Sequence, residues 1–137
     1  MRLWNINLID VLPKAQLIAQ WRELSAIAGA IQKNGAPNHI LVNFVLDYDF
    51  DHFISYAQLV RNEMTKRGYR TMQSVMDKII SLKPDYNIIA FDNIYEDKMT
   101  DDYLQICYWN LYEKFICGGI SDEEWDSIEN RFNNIMK

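Results

Sequence analysis

Four long stretches of the sequence repeat apolar residues at the spacing of an α-helix. The first lies between Pro13 and Asn34, and its apolar residues are Leu17, Ile18, Trp21, Leu24, Ala28 and Ile31. Glycine and proline are scarce, with five and three residues, which argues against a turn-rich β-sandwich or barrel. The sequence therefore predicts an all-α fold, a compact single-domain bundle of about five helices.

Local start and stop signals set the expected helix boundaries. We expect helices at about residues 13–34, 51–67, 71–82 and 101–117, and a last helix from residue 121 onward. Ser121 and Glu124 have the spacing of a capping box, and Gly68 is a natural left-handed stop. Residues 39–47 are apolar and β-branched, which favours a short strand or an extended buried segment.

The length of 137 residues is typical of one domain. We expect residues 1–117 to form its main part and residues 118–137 to form an acidic C-terminal helix packed on it. No apolar run is long enough to span a bilayer, and the first ten residues lack the apolar region of a secretory signal. The two cysteines make no disulfide scaffold. We therefore expect a cytoplasmic protein with no membrane partner.

Charge is divided unevenly along the chain. Residues 1–83 carry ten Lys and Arg against seven Asp and Glu, a net +3. Residues 84–137 carry four against twelve, a net −8, so the whole chain has a net charge of −5. A net negative charge argues against nucleic-acid binding, because affinity for nucleic acid comes largely from neutralisation of its phosphates. We therefore expect any anion site to belong to the first half.

Several common site chemistries lack support in the sequence. The segment Asp47–Asp51 resembles the start of a calcium loop, but His52 and Gln58 stand where that loop needs glycine and glutamate. Neither His52 nor His39 has a serine or cysteine nearby in a nucleophile context. No glycine-rich loop is present to hold a phosphate group. We predict no metal site and no cofactor.

The aromatic residues Tyr108, Trp109 and Tyr112 cluster on one predicted helix. Exposed aromatic side chains can stack on nucleic-acid bases. Aromatic residues at helical spacing more often belong to a core, and we favour that interpretation here.

Glu23 is a carboxylate in the middle of the first predicted helix, between apolar neighbours and beside Arg22. A partly buried carboxylate next to an arginine can donate a proton or stabilise a cationic intermediate. The alternative is an ordinary surface ion pair with no role in chemistry.

Two groups of residues carry a resemblance to a known family. The first group starts with Met1-Arg2 and Asn5 and continues through helix one with Leu17-Ile-Ala-Gln-Trp-Arg-Glu-Leu24, Gly29-Ala30 and Lys33. The second is Lys66-Arg67-Gly68-Tyr69. In order and spacing these residues resemble the pyrimidine-dimer DNA glycosylases of the endonuclease V type. Bacterial relatives of unknown role share a further pattern, seen here as Tyr103-Leu104, Cys107, Asn110-Leu111 and Lys114.

The resemblance implies a fold, an activity and a set of site residues. The family fold is a compact helical domain whose N-terminal segment lies between the main helices, here in an endonuclease V-like domain over residues 1–117. The implied nucleophile is the α-amine of Met1, with Glu23 and Arg22 as its catalytic partners. The implied DNA contacts are Arg2, Lys33, Lys66, Arg67 and Lys114. An α-amine loses its proton more readily than a lysine side chain, which suits it to attack at neutral pH.

We therefore predict a DNA glycosylase and apurinic/apyrimidinic (AP) lyase that acts on damaged or modified DNA. In that case Leu3, Trp4 and Ile6 should anchor the chain start by burial, so that the Met1 nitrogen lies near Glu23. An alternative stays open. The same fold could serve as a non-enzymatic binding module whose acidic second half contacts a basic protein partner.

Overall fold

The computed structural model describes all 137 residues. Its five α-helices are α1 (Lys14–Asn34), α2 (Phe50–Lys66), α3 (Gln73–Ile80), α4 (Asp101–Ile116) and α5 (Asp122–Ile135). Short 3-10 helices cover Ile6–Val11, Asn43–Asp47 and Phe91–Asn93, and the chain forms no β-strand. The predicted all-α fold is confirmed. No helix combines the length and the apolar character that crossing a bilayer requires.

Helix α1 buries one face against α2 and α3. The buried residues of α1 include Leu17, Leu24 and Ile27, which are at most 1% exposed. The helix ends at Gly35, whose φ of 80° is the left-handed conformation that glycine adopts without a Cβ clash. The N–H of Gly35 donates to the carbonyl of Ile31 at 2.8 Å, which satisfies one carbonyl of the last turn.

The aspartates that precede and open α2 have structural partners. Asp49 caps the helix, because its side chain accepts a hydrogen bond from the N–H of Asp51 at 2.9 Å. The carboxylate of Asp51 in turn accepts from the N–H of Asn87 at 2.9 Å and from Nζ of Lys83 at 3.2 Å. This acidic segment therefore ties the start of α2 to the chain that follows α3.

Residues 39–47 form no strand, so the predicted strand or extended segment is wrong. The chain makes a turn at residues 40–42 and then the 3-10 helix Asn43–Asp47. The N–H groups of Val42 and Asn43 both donate to the carbonyl of His39, which leaves them unavailable to a neighbouring strand. Val42 and Val45 are fully buried, and their separation of three residues fits a helical turn rather than the two-residue period of a strand.

The second half of the chain packs on the first through α4 and α5. Thr100 caps α4, and Ser121 and Glu124 form the predicted capping box of α5. Helix α5 packs against α4 and against the 3-10 helix Ile6–Val11. The guanidinium of Arg131 donates to the carbonyl of Asn7 at 2.7 Å and pairs with Asp10. Residues 122–135 therefore contact the N-terminal segment directly.

The aromatic cluster of α4 is divided between core and surface. Tyr108 is buried and stacks on Phe132, with ring centroids 3.9 Å apart. Trp109 is 53% exposed and Tyr112 is 37% exposed, so the predicted core position is wrong for these two residues. The inward face of α4 follows Leu104, Cys107 and Leu111, and Trp109 lies on the other side of the helix.

Candidate active site

The first residues of the chain lie inside the helical bundle. Leu3 and Asn5 are fully buried, and Trp4 and Ile6 are 7% and 4% exposed. The predicted burial of Leu3, Trp4 and Ile6 is confirmed. Met1 remains 45% exposed, so the chain reaches the surface only at its first residue.

Hydrogen bonds from three helices fix this segment. From α1, the side chain of Gln20 accepts from the N–H of Trp4 at 2.8 Å and donates to the carbonyl of Arg2 at 3.0 Å. From α2, the hydroxyl of Tyr56 lies 2.6 Å from the carbonyl of Trp4. From α4, the hydroxyl of Tyr103 donates to the carbonyl of Leu3. These hydrogen bonds fix the backbone of Arg2, Leu3 and Trp4, the residues that follow Met1.

Gln20 connects the chain start to Glu23. Its Nε2 donates one hydrogen to the Arg2 carbonyl at 3.0 Å and the other to Oε2 of Glu23 at 3.2 Å. The Gln20 side chain is fully buried, and its Oε1 accepts from Trp4 while lying 2.9 Å from the Tyr56 hydroxyl. A single buried amide therefore orients both the N-terminal backbone and the Glu23 carboxylate.

Met1 and Glu23 line the same surface cleft, which has a volume of about 460 Å³. Its walls come from the N-terminal segment, α1, α4 and the turn before the 3-10 helix Asn43–Asp47. The lining residues are Met1, Arg2, Trp4, Ala15, Gln16, Ala19, Glu23, Leu41, Asn110 and Lys114. Glu23 is the only carboxylate among them, and it shares the cleft with the Met1 amine, Arg2 and Lys114.

The electrostatic environment of Glu23 reflects its position in the cleft. Burial raises the pKa of the Glu23 carboxyl above its ordinary value, and this is the largest effect. The positive charge of the Met1 ammonium opposes that shift, followed by His39 and Lys114. The charge of the Met1 ammonium thus acts on Glu23 although the two groups form no direct ion pair. An amine and a partly desolvated carboxylate in one cleft are the groups that imine chemistry needs.

The structure brings four of the predicted site residues together and leaves four elsewhere. Met1, Arg2, Glu23 and Lys114 share the cleft. Arg22 lines a separate cleft of about 360 Å³ with Arg70 and Trp21. Arg22 forms no ion pair with Glu23, so the ordinary surface pair considered from the sequence is absent.

The other three predicted DNA contacts lie at helix ends. Lys33 is exposed in the last turn of α1, and Lys66 is exposed in the last turn of α2. The guanidinium of Arg67 pairs with Glu63 at 2.8 Å and donates to the carbonyl of Leu12 at 2.7 Å. Arg67 therefore ties the end of α2 to the segment that precedes α1.

No motif in the sequence identifies the residues that hold the chain start. Gln20 follows Leu17 by three positions and precedes Leu24 by four, so helical geometry places this polar side chain on the buried face. A polar residue in an apolar stripe is the signal that identifies such a group. Tyr56 and Tyr103 are buried on the inner faces of their helices, but the sequence does not show which carbonyls their hydroxyls meet.

The sequence that builds this site was compared with known protein families, curated proteins and solved structures. The family model for pyrimidine dimer DNA glycosylase matches residues 1–77, which is more than half of the 137 residues. No curated protein and no solved structure matches the sequence. The matched region contains Met1, Arg2, Gln20 and Glu23. The chain belongs to the pyrimidine dimer DNA glycosylase family.

Proposed function

We propose that this protein is a DNA glycosylase and AP lyase that uses the α-amine of Met1 as its nucleophile and Glu23 as its catalytic carboxylate. Membership in the family supports a glycosylase of pyrimidine dimers in DNA. One observation carries the proposed chemistry: the Met1 ammonium and Glu23 line a single cleft and act electrostatically on each other.

The first chemical step joins the protein to the sugar. The lone pair of the Met1 nitrogen forms a bond to C1′ as the bond from C1′ to the base breaks. The base leaves with the bonding electrons and takes up a proton. The nitrogen then loses a proton, and its lone pair forms the C1′=N bond of an iminium ion as the C1′–O4′ bond breaks and O4′ takes up a proton to become a hydroxyl. A carboxylate at the position of Glu23 stabilises that positive charge, because a partly desolvated site strengthens the attraction.

The second step breaks the DNA strand. The iminium ion makes the C2′ proton acidic, and its removal expels the 3′ phosphate by β-elimination. Water then releases the sugar from the nitrogen and regenerates the Met1 amine. Arg2 and Lys114 carry the positive charge that suits the phosphates flanking such a sugar, and both line the cleft.

Borohydride trapping on abasic DNA tests the proposal directly. Borohydride reduces an imine to a stable amine, so we expect a covalent adduct between the protein and an oligonucleotide with one abasic site. A variant with residues added before Met1 has no free α-amine at that position and should give no adduct. A matched extension after Lys137 should leave trapping unchanged.

Two results would contradict the proposed chemistry. One is an N-terminally extended protein that forms the adduct as fast as the native one. The other is the complete absence of an adduct with the native protein. Absence of the adduct together with binding to a basic protein would favour the non-enzymatic module instead.

A further inference from the structure

A second cleft, which we call the arginine cleft, lies against helix α1 and is separate from the cleft of Met1 and Glu23. It has a volume of about 360 Å³, and its charged lining residues are Arg22 and Arg70. Both residues are exposed, and neither forms an ion pair. Two guanidinium groups without an acidic partner are therefore available to bind an anion.

The acidic residues that neighbour the lining residues along the chain lie elsewhere. Glu23 lines the other cleft. Glu63 pairs with Arg67 at 2.8 Å. Asp77 follows the lining residue Val75 by two positions, which turns its side chain about 160° away around α3. Because no carboxylate lines the arginine cleft, the charge of its two arginines is not neutralised there.

A third cation lies at the edge of the arginine cleft. Nζ of Lys78 in α3 donates to the hydroxyl of Ser25, a lining residue of α1, at 3.4 Å. A Cβ at Gly29 would lie 2.9 Å from the same Nζ, so the glycine leaves room for the ammonium group beside α1. Lys78 forms no ion pair. The positive charge at this cleft therefore comes from α1, from α3 and from the segment between α2 and α3.

Helix α1 forms a wall of both clefts. The cleft of Met1 is lined by Ala15, Gln16, Ala19 and Glu23 of this helix, and the arginine cleft is lined by Ile18, Trp21, Arg22 and Ser25. At about 100° per residue, the two sets point in directions about 120° apart. A helix with its side chains is about 10–12 Å across, so an anion bound beside Arg22 lies about 10 Å or more from the cleft of Met1.

Arg70 belongs to a segment whose backbone is held on both sides. On one side, the N–H of Tyr69 donates to the carbonyl of Met64 at 2.8 Å, just after the end of α2. On the other side, the hydroxyl of Thr71 accepts from Nε of Arg61 at 3.0 Å. The backbone that carries the Arg70 side chain is therefore ordered before any anion binds, which lowers the entropy cost of binding.

We propose that Arg22 and Arg70 bind a phosphate group of DNA in the arginine cleft, about three to four nucleotides from the sugar that Met1 attacks. The proposal rests on the proposed function, since it takes the cleft of Met1 and Glu23 as the site of reaction. One strand of DNA advances about 3.4 Å along the duplex axis per nucleotide, so a separation of about 10–14 Å corresponds to about three to four nucleotides. A DNA strand that lies across α1 can therefore reach both clefts at once.

The uncharged walls of the arginine cleft suit a sugar beside its phosphate better than a free phosphate ion. Met72, which is 68% exposed, gives the cleft an apolar wall together with Ile18 and Trp21. Contact with a deoxyribose removes part of this surface from water, whereas inorganic phosphate leaves it hydrated. A guanidinium group binds two phosphate oxygens through parallel hydrogen bonds, which favours phosphate over smaller anions. A DNA strand supplies the phosphate and the sugar together.

Salt-dependent DNA binding tests the phosphate site without any chemical step. The probe is labelled duplex DNA with a tetrahydrofuran analogue of an abasic site, which forms no imine, and fluorescence anisotropy measures binding over a range of salt concentrations. We expect Arg70→Gln to weaken binding about 10-fold and to reduce the slope of log K against log salt by about 1. Arg67→Gln removes an equal charge at a guanidinium engaged by Glu63 and should leave the slope unchanged. An unchanged slope in Arg70→Gln, or an equal change in both variants, overturns the proposal.

A scan of the DNA backbone tests the position of the phosphate. A methylphosphonate replaces one charged phosphate at a time by a neutral group, at successive positions on both sides of the abasic analogue and in both strands. We expect substitution about three to four nucleotides from the analogue to weaken binding of the native protein about 10-fold. The same substitution should change binding of a double variant, Arg22→Gln with Arg70→Gln, less than about 2-fold. A double variant that loses as much binding as the native protein at every position overturns the proposal.

The outcomes separate this proposal from the proposed function. If the native protein traps abasic DNA with borohydride but Arg70→Gln leaves the salt slope unchanged, the phosphate site is wrong and the catalytic proposal stands. If the native protein traps no DNA but the slope depends on Arg70, the catalytic proposal alone fails. A native protein that binds no DNA contradicts both.

Discussion

The first 83 residues and the last 54 contribute to one hydrophobic core but carry net charges of +3 and −8. The first part holds Met1, Arg2 and Glu23, and the whole region that matches the glycosylase family lies in it. The second part holds the chain start in position through the Tyr103 hydroxyl and the Arg131 guanidinium. Met1, Arg2 and Glu23 all come from the first part, whereas the groups that hold the chain start come from both parts: Gln20 and Tyr56 from the first, and Tyr103 from the second.

The same comparison changes the interpretation of the acidic net charge. Exposed acidic side chains of the second part lie on α5, at Asp122, Glu123, Asp126 and Glu129, and also between residues 85 and 113. The stretch between Glu23 and Asp47 has none. Lys114 of the second half lines the cleft together with Arg2 of the first half.

The largest expected effect comes from removing the charge of Glu23. We expect Glu23→Gln to lower the rate of adduct formation about 100-fold or more, because the iminium ion loses its stabilising carboxylate. Binding of abasic DNA should persist, since glutamine keeps the size of the side chain. Glu113→Gln, an exposed change beside Lys114, is the control for loss of one negative charge. An unchanged trapping rate in Glu23→Gln would remove this residue from the mechanism.

The role of the second part is tested by Tyr103→Phe. Loss of the hydroxyl leaves the buried Leu3 carbonyl without this donor, and we expect a loss of about 1–3 kcal/mol in the free energy of unfolding. Trapping should slow about 10-fold at temperatures where the variant is folded, because the Met1 amine is less firmly positioned. Tyr112→Phe on the same helix, at a tyrosine whose hydroxyl has no partner within the protein, should change neither quantity. If Tyr103→Phe is destabilised but forms the adduct at the native rate, the hydrogen bond between Tyr103 and Leu3 serves stability alone.

The predicted DNA contacts of the two parts, Lys114 and Arg67, can be compared through the salt dependence of DNA binding. Lys114 has no ion pair and lines the cleft, so Lys114→Ala should reduce the slope of log K against log salt by about 0.9. Arg67 has its guanidinium engaged with Glu63 and the Leu12 carbonyl. Arg67→Ala should therefore lower the melting temperature and leave the slope unchanged. Fluorescence anisotropy with labelled DNA over a range of salt concentrations measures the slopes, and the reverse pattern would contradict this assignment.

The smallest expected effect is on stability as a function of pH. Burial raises the pKa of Glu23 in the folded protein above the ordinary value of 4.5, so the folded state keeps this proton to a higher pH than the unfolded chain does. Ionisation of Glu23 thus lowers stability as the pH rises through the interval between those two pKa values. Glu23→Gln cannot ionise and should be slightly more stable than the native protein above that interval. Below that pH interval the two proteins should have the same free energy of unfolding. Urea unfolding at several pH values measures the difference.

Much of the fold follows from local signals in the sequence. Gly35, Gly68 and Ser121 mark helix boundaries through backbone conformation and capping, which depend on few neighbours. The segment 39–47 is different, because β-branched residues suit a strand and a short buried turn equally. Its conformation depends on burial of Val42 and Val45 in the assembled core, which no local pattern shows.

The sequence predicted the site residues that belong to a family motif. It did not predict those whose position depends on the three-dimensional packing of the chain. Met1, Arg2 and Glu23 follow from the resemblance and meet in the cleft. Arg22 is adjacent to Glu23 in sequence, but consecutive residues of a helix point about 100° apart, so Arg22 faces a different cleft. The Gln20 amide joins Arg2 to Glu23 through contacts that exist only once the N-terminal segment is threaded into the bundle.

The central claim is that the Met1 nitrogen, and not a lysine, attacks the sugar. Lys114 lines the same cleft and is the competing amine. The direct measurement is digestion of the borohydride-trapped complex, followed by mass spectrometry of the peptide that carries the sugar. The account predicts the sugar on the α-nitrogen of Met1 in the N-terminal peptide. A sugar found on Lys114, or on any other lysine, would contradict it.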